Sequence, residues 1–174
     1  MSEVNPQTLT QALRRLKAVR EYNGNPIPEA DLQDILEVAR WTGSSMNTQP
    51  WHLVVIKDRN TLQQIAQAEG YIKFVGQAQV VILPVIDQKG SGFDEGRLVE
   101  RILLAAHAYG IGAGMGWFQG NGAASVQTLL NIPAQYRVRA VIALGYPSDA
   151  AQKPRAKPGE ARKSLSEIVR YERF

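Results

Sequence analysis

Glycine occupies every second position at Gly110, Gly112, Gly114 and Gly116, within the segment Gly-Ile-Gly-Ala-Gly-Met-Gly. Alternate residues of a β-strand point to opposite faces, so this spacing leaves one whole face of the strand without side chains. Something can then approach that face very closely, and both a packed helix and a flat ligand would fit there. The spacing does not match Gly-x-Gly-x-x-Gly, because Met, Trp or Gln stands at each third position, so a dinucleotide-binding unit is not predicted.

The rest of the chain alternates between helical and strand patterns. Helices are predicted at about residues 7–19, 29–41, 61–68 and 123–130, and strands at about residues 53–57, 80–85, 110–116 and 138–144. Pro84 suggests an edge position or a strand end. The helix that contains Leu98 and Ile102 is apolar on more than one face, which predicts the buried centre of the fold. We therefore expect an α+β or three-layer α-β-α fold, with a mostly antiparallel, mixed sheet flanked by helices.

Length and composition set further bounds. At 174 residues the chain is expected to form one domain over residues 1–174, and its Pro-containing part, residues 146–174, is expected to be an extended C-terminal tail. The apolar Leu165, Ile168 and Val169 near its end would need something to bury against, such as another subunit. The absence of cysteine excludes disulfides, zinc sites with thiolate ligands and cysteine nucleophiles. The two histidines lie far apart in sequence within apolar patterns, so no metal site is expected.

The charge and the start of the chain bear on partners and location. A net charge of +4 is modest, and no aromatic residues interleave the basic clusters, so nucleic-acid binding is not predicted. The first residues lack a basic region followed by an apolar core, and no apolar run approaches the roughly 20 residues of a membrane span. We expect a cytoplasmic protein without a membrane segment.

The segment Gly-Ser-Ser-Met-Asn-Thr-Gln-Pro-Trp, residues 43–51, follows a predicted helix and precedes a predicted strand. It crowds hydroxyl and amide side chains into one loop, the kind of place where a rigid scaffold presents groups to a ligand. A simple capped turn would use the same residue types. Composition alone leaves both interpretations open.

Three motifs in order carry a resemblance to a known family. Val-Arg-Glu-Tyr at residues 19–22 precedes Ser-Ser-x-Asn-x-Gln-Pro-Trp at residues 44–51, and the chain closes with Arg-Lys-Ser-Leu-Ser-Glu-Ile-Val at residues 162–169. In this order and over nearly the whole chain, the sequence resembles the nitroreductase family of flavin enzymes. The resemblance implies a nitroreductase-like fold and a homodimer whose C-terminal extension docks on the partner subunit.

The resemblance also implies a function and a site. It implies an FMN-dependent oxidoreductase that takes hydride from NAD(P)H and passes it to a nitroaromatic, a quinone or another flat acceptor. Because the flavin carries the chemistry, no catalytic side chain and no metal are expected. The loop of the partner subunit would contact the flavin, the glycine-rich strand would lie beside the ring, and basic residues would hold the phosphate. The cofactor-binding residues expected on this basis are Ser44, Ser45, Asn47 and Gln49 of the loop, Met115, Gly116 and Trp117 of the strand, and Lys17, Arg20, Arg162 and Lys163.

One departure from the family pattern concerns the phosphate. The family usually has Arg-Arg-Ser-Val-Arg where this chain has Leu-Lys-Ala-Val-Arg at residues 16–20, so Leu16 and Ala18 replace an arginine and a serine. Arg14 lies two positions before Leu16, about 200° away on a helix, and cannot simply substitute. Phosphate binding is then expected to depend on Lys17, Arg20 and Arg162, and the flavin affinity could be weakened or the cofactor could differ.

The sequence leaves three hypotheses of function open. The first is the oxidoreductase just described. The second is a flavin-binding module of the same fold that has no NAD(P)H turnover. The third is a basic α+β domain that binds a protein or a nucleic acid and shares only the loop.

Overall fold

The computed structural model describes residues 5–153 and 162–174. Of the predicted tail, residues 146–174, the segment 154–161 lies outside the described residues. The helices are α1 Pro6–Arg15, α2 Glu29–Arg40, α3 Arg59–Ala66, α4 Gly92–Ala108, α5 Gly122–Leu129, α6 Asp149–Gln152 and α7 Leu165–Ile168. The strands are β1 Trp51–Ile56, β2 Val80–Asp87, β3 Gly112–Trp117, β4 Tyr136–Arg137 and β5 Ala140–Gly145.

The five strands form one sheet in the order β1-β2-β5-β3, and β4 pairs with β2. Every pairing between described strands is antiparallel, so the parallel component of a mixed sheet is not seen among them. β1 and β3 lie on opposite sides of the β2-β5 pair. Three strand spacings separate β1 from β3, a distance of about 14 Å across the sheet.

Helices cover both faces of the sheet. On one face, α2 and α4 bury Leu32, Ile35, Leu98 and Ile102 against β2 and β5. On the other face, α3 and α5 pack with residues such as Leu62, Ile65 and Val126. The α+β, three-layer fold is therefore confirmed. The prediction that α4 forms the buried centre is wrong, because α4 lies in an outer layer with one side buried and Phe93 87% exposed, and β2 and β5 are the buried elements.

Pro84 lies in β2, which has partners on both sides, and not in an edge strand. It is opposite Leu53 of β1. On its other side β2 pairs with β5 through Val80–Ile82 and with β4 through Ile86 and Asp87. Pro84 falls in the gap between these two stretches, where a missing N–H breaks no ladder.

The first helix is shorter than the sequence predicted. It ends at Arg15, and the predicted helical residues 16–19 are not in helix. The Val19 N–H donates to the carbonyl oxygen of Ala113 at 2.8 Å, so this segment follows β3 instead. Leu9 and Leu13 share one side of α1 by their helical spacing, and they are 49% and 45% exposed. No residue of α1 is buried by the described chain.

The bare face of β3 is covered by extended segments of the chain itself and not by a helix. A Cβ atom added at Gly112 would lie 2.7 Å from Cγ1 of Val19. At Gly114 it would collide with the carbonyl oxygen of Val19, and at Gly116 with that of Tyr71. The glycines therefore let the segment around Val19 and the segment around Tyr71 cross β3 at backbone contact.

Replacing Gly114 with Ala should lower the free energy of unfolding by about 1 to 3 kcal/mol, because the new methyl group overpacks a backbone contact. Urea denaturation measures the loss. Gly96→Ala is a matched control, since a Cβ there meets nothing within 4 Å and α4 gains a better helix former. The packing argument fails if the two substitutions shift the midpoint equally.

Candidate functional site

A cleft of about 570 Å³ opens at the end of β3. This volume lies within the range of small-molecule sites, which are mostly apolar with a few polar groups. The extended segment after α1, the stretch that follows α3 and the last residue of β3 form its walls. Its lining consists of Arg20, Gly70, Tyr71, Ile72, Lys73, Phe74 and Trp117.

Two cations face this cleft, and no carboxylate of the described residues lines it. The Arg20 guanidinium lies 5.4 Å from the centroid of the Phe74 ring, and its Nη2 donates to the carbonyl oxygen of Met115 at 3.5 Å. Within the described part of the chain, neither Arg20 nor Lys73 forms a salt bridge. The cleft therefore favours a ligand that carries negative charge.

Aromatic rings form the rim of the cleft. The centroids of Tyr71 and Trp117 are 4.8 Å apart at an interplanar angle of 52°, and both rings are largely open to solvent. The Tyr71 N–H donates to the carbonyl oxygen of Trp117 at 3.0 Å, which holds the two backbones together. Rings held in this way offer stacking surface to a flat ligand.

Tyr22 holds the extended segment that carries Arg20. Its hydroxyl is within hydrogen-bond distance of the carbonyl oxygens of Val19, at 2.8 Å, and Ala143, at 3.1 Å. Burial raises the pKa of the Tyr22 hydroxyl, and the nearby Arg20 charge offsets this in part. The hydroxyl therefore stays protonated and continues to donate, which keeps Arg20 beside β3.

Lys17 does not line the cleft. Its ammonium donates to the carbonyl oxygens of Ala151, at 2.8 Å, and Gln152, at 3.1 Å. Arg162 and Lys163, at the start of the second described stretch, are exposed and also outside the lining. Among the predicted basic residues, Arg20 alone reaches the cleft.

The loop before β1 is braced and conformationally unusual. Met46, Asn47 and Gln49 have φ angles of 49°, 54° and 47°, in the left-handed region that non-glycine residues rarely adopt. The Gln49 N–H donates to Ser44 Oγ at 2.8 Å. The Ser45 N–H donates to Oδ2 of Asp94 in α4 at 3.2 Å. Such strain persists where surrounding contacts hold it, and it is frequent at functional sites.

Within a single chain, the cofactor-binding residues predicted at β3 and those predicted in the loop before β1 form two separate groups. Arg20, Gly116, Trp117 and the Met115 carbonyl lie together at β3. The loop with Ser44, Ser45, Asn47 and Gln49 leads into β1, about 14 Å away across the sheet. The Met115 side chain lines a different groove, with Gly92, Gly96, Val99 and Leu103 among its neighbours.

Sequence reasoning missed the five cleft residues from Gly70 to Phe74. They lie between the helix predicted at residues 61–68 and the strand predicted at residues 80–85, and part of this stretch forms a 3₁₀ turn at Lys73–Gln77. Two aromatic residues and a lysine between Gly70 and Gly76 are an unusual composition for a solvated linker, and this was the available signal.

Within residues 5–153 and 162–174, no three His, Cys, Asp or Glu residues are grouped to hold a metal ion. In the same ranges, no helix has the length and apolar character needed to cross a bilayer.

The fold and the cleft together define an α+β domain that is suited to bind a flat, negatively charged ligand at the end of an edge strand. The chain belongs to the nitroreductase family, a family of oxidoreductase enzymes. The model of the Nitroreductase family matches residues 13–90. An Archaeoglobus fulgidus protein, whose name joins NADH dehydrogenase and NAD(P)H nitroreductase, is 32% identical over 76% of this chain and 82% of its own length.

Solved structures agree with this assignment. An FMN-dependent nitroreductase from Clostridium difficile superposes with a TM-score of 0.83 at 20% identity, over 94% of this chain and 98% of that one, which supports the fold. A Desulfovibrio desulfuricans structure, described as a nitroreductase in complex with FMN, has a TM-score of 0.79 and 29% identity over 99% of both chains.

Proposed function

We propose that this protein is an FMN-dependent oxidoreductase that transfers hydride from NAD(P)H to a nitroaromatic, a quinone or a similar flat acceptor. One observation carries the proposal: Arg20 and Trp117, far apart in sequence, share one aromatic cleft that has two cations and, in the part of the chain that the structure describes, no carboxylate. The FMN complex of the Desulfovibrio relative supports the choice of cofactor.

The cleft fits the ring part of the flavin. Tyr71 and Trp117 offer aromatic surface, and Arg20 and Lys73 favour negative charge on the ring. When bound, FMN supplies the hydride-transfer chemistry itself. Among the described residues, the lining contains no carboxylate, imidazole or thiol, and hydride transfer to a flavin requires no general base. In this proposal, residues of the cleft bind and orient, and none is an acid or a base.

The phosphate lies outside this cleft in our proposal. Ala18 and Leu16 lack the polar groups that the family pattern has at those positions, and the Lys17 ammonium already holds two carbonyl groups. We assign the phosphate to Arg162, with Lys163 beside it. We assign Arg20 to the ring.

A homodimer completes the site. The loop with Ser44, Ser45 and Asn47 is on the far side of the sheet from the cleft of its own chain, so one chain cannot place both groups on one ring. A second copy can supply the loop to the cleft, and the large exposed side chain of Met46 would then be covered. Gln49, which bonds back to Ser44, holds the loop in shape.

The exposed apolar residues of the C-terminal stretch support the same assembly. Leu165 and Ile168 are 74% and 62% exposed, and Tyr171 and Phe174 are also exposed. Large apolar side chains this open on a single chain mark a contact surface. In the dimer this stretch docks on the partner subunit.

Replacing Leu165 and Ile168 together with Glu should shift the protein to monomer and release the flavin, because charges enter an apolar contact. Sedimentation velocity with detection at a flavin wavelength measures both effects. Ser166→Glu is the control, since it adds charge to the same stretch without removing an apolar group. A double variant that remains a dimer with bound flavin contradicts the role of this segment.

The function itself is tested by the colour of the purified protein. A flavin spectrum, identified as FMN after release, supports the cofactor assignment. Bleaching on anaerobic addition of NADH or NADPH supports the oxidoreductase. A yellow protein that neither reductant bleaches, while dithionite does, would instead be a flavin-binding module without NAD(P)H turnover.

A further inference from the structure

Lys17 occupies a position where the family pattern predicts a phosphate ligand, but its ammonium is used elsewhere. It donates to the carbonyl oxygens of Ala151 and Gln152, at 2.8 and 3.1 Å. These residues are the last two of α6, and carbonyl groups at a helix C-terminus have no partner within the helix. A lysine that binds them there is a recognised form of C-terminal cap.

These two hydrogen bonds belong to a longer row of contacts between the segment after α1 and the segment after β5. We call this row the seam. The Ser148 N–H donates to the Glu21 carbonyl oxygen at 3.0 Å, and the Asn23 N–H donates to the Tyr146 carbonyl oxygen at 2.9 Å. Tyr22 and Pro147 form an antiparallel bridge between them. The two segments run in opposite directions, so Lys17 closes the seam at the end where the chain leaves α6.

The seam also joins the cleft to the base of the C-terminal segment. Arg20, which lines the cleft, lies between Lys17 and the Tyr22 bridge on the same extended segment. The segment that carries Arg20 therefore contacts α6 through Lys17 and β3 through Val19.

We propose that Lys17 is a positioning residue that clamps α6 to the segment carrying Arg20, and that it is not a ligand of the cofactor phosphate. Two of the three N–H groups of the Lys17 ammonium donate to carbonyl oxygens. The neighbours Leu16 and Ala18 add no polar group that could complete a phosphate site. The role of Lys17 as a clamp is inferred from contacts within the chain. Only the flavin-affinity measurements that test it rest on the proposed function.

Lys17→Met tests the clamp by two readouts. The first is the NMR order parameter of the backbone amides of Gln152 and Lys153, which should fall from about 0.85, typical of rigid backbone, to below about 0.6. The second is the ratio of riboflavin affinity to FMN affinity, since riboflavin lacks the phosphate. A clamp acts on the shape of the cleft, so both affinities should fall by the same factor, about threefold to tenfold.

Three control variants sharpen the comparison. Arg14→Met removes the same charge from an exposed residue near the end of α1 whose side chain has no hydrogen bond to the described chain, and should change neither readout. Lys17→Arg keeps a donor and should restore the order parameters. Arg162→Ala, at the proposed phosphate ligand, should weaken FMN binding by about 10-fold to 100-fold while leaving riboflavin binding unchanged.

Two outcomes overturn the proposal. If Lys17→Met weakens FMN alone and leaves the order parameters unchanged, Lys17 is a phosphate ligand. If it changes neither readout, the two carbonyl contacts do not position α6. A wild-type protein that binds no flavin contradicts the proposed function, while the order parameters still decide the role of Lys17.

Discussion

Replacing Arg137 with Met is expected to lower the free energy of unfolding by about 3 to 5 kcal/mol, the usual effect of removing one partner from a buried ion pair. Nη1 of Arg137 lies 2.6 Å from Oε2 of Glu95, and the two side chains are only 12% and 8% exposed. Nη2 donates to the Gly90 carbonyl oxygen at 2.7 Å. Without the guanidinium, a buried carboxylate and a carbonyl group lose their partner together.

Urea denaturation of single and double variants separates this loss from the loss of side-chain packing. Glu95→Met combined with Arg137→Met removes both charges, so it should recover most of the stability. Oε1 of Glu95 already lacks a hydrogen-bond partner in the described structure, so removing this carboxylate also removes an unsatisfied group. A loss below about 1 kcal/mol for the Arg137 variant would show that the pair is solvated in solution.

The ion pair of Glu95 and Arg137 also affects the candidate site. It fixes the turn before α4, and the first turn of α4 also contains Asp94, which accepts from the Ser45 N–H. The strained loop is thereby braced by an element that the buried pair holds. We expect the loop to lose order in the Arg137 variant before the core unfolds.

Replacing Asn47 should slow flavin reduction by NAD(P)H by at most about 100-fold to 1000-fold, the range for loss of one preorganised donor. The pH dependence of the rate should keep the same ionisations, because an amide side chain carries no proton that titrates near neutral pH. Anaerobic stopped-flow measurements over roughly pH 5.5 to 9 report both quantities. An ionisation that disappears in the variant would show that the loop controls an essential proton.

The backbone of Asn47 decides which substitution to use. Its φ angle of 54° is costly for alanine but free for glycine. Asn47→Gly therefore removes the amide group without backbone strain, and Asn47→Ala removes it with strain. If the amide matters, both variants are slow. If only the alanine variant is slow, the loop conformation is what the reaction requires.

Patterns that repeat along the chain were predictable because they depend on neighbours in sequence. α2 was expected at residues 29–41 and spans Glu29–Arg40, since its apolar spacing and the proline before it are local signals. The loop at residues 43–51 also stood out by its residue types. The family and the fold class followed from the order of such motifs.

Features decided by distant contacts were not predictable. Helical spacing continues past Arg15, yet the chain becomes extended because Val19 bonds to Ala113, far along the chain, and the glycines of β3 admit its backbone. Lys73 was not predicted as a site residue because Arg20 and Trp117, which line the same cleft, are remote in sequence. Lys17 matched a position of the family motif, but carbonyl groups of α6 reach its ammonium.

The sequence by itself determined the fold class, the family and the residue types available to the site, because helical and strand periods and short motifs are local properties of the chain. The tertiary structure alone decided which cations face the cleft. It also decided that β3 and the loop that leads into β1 lie at opposite edges of the sheet. Strand order sets both results, and it arises from packing between segments that no local pattern relates.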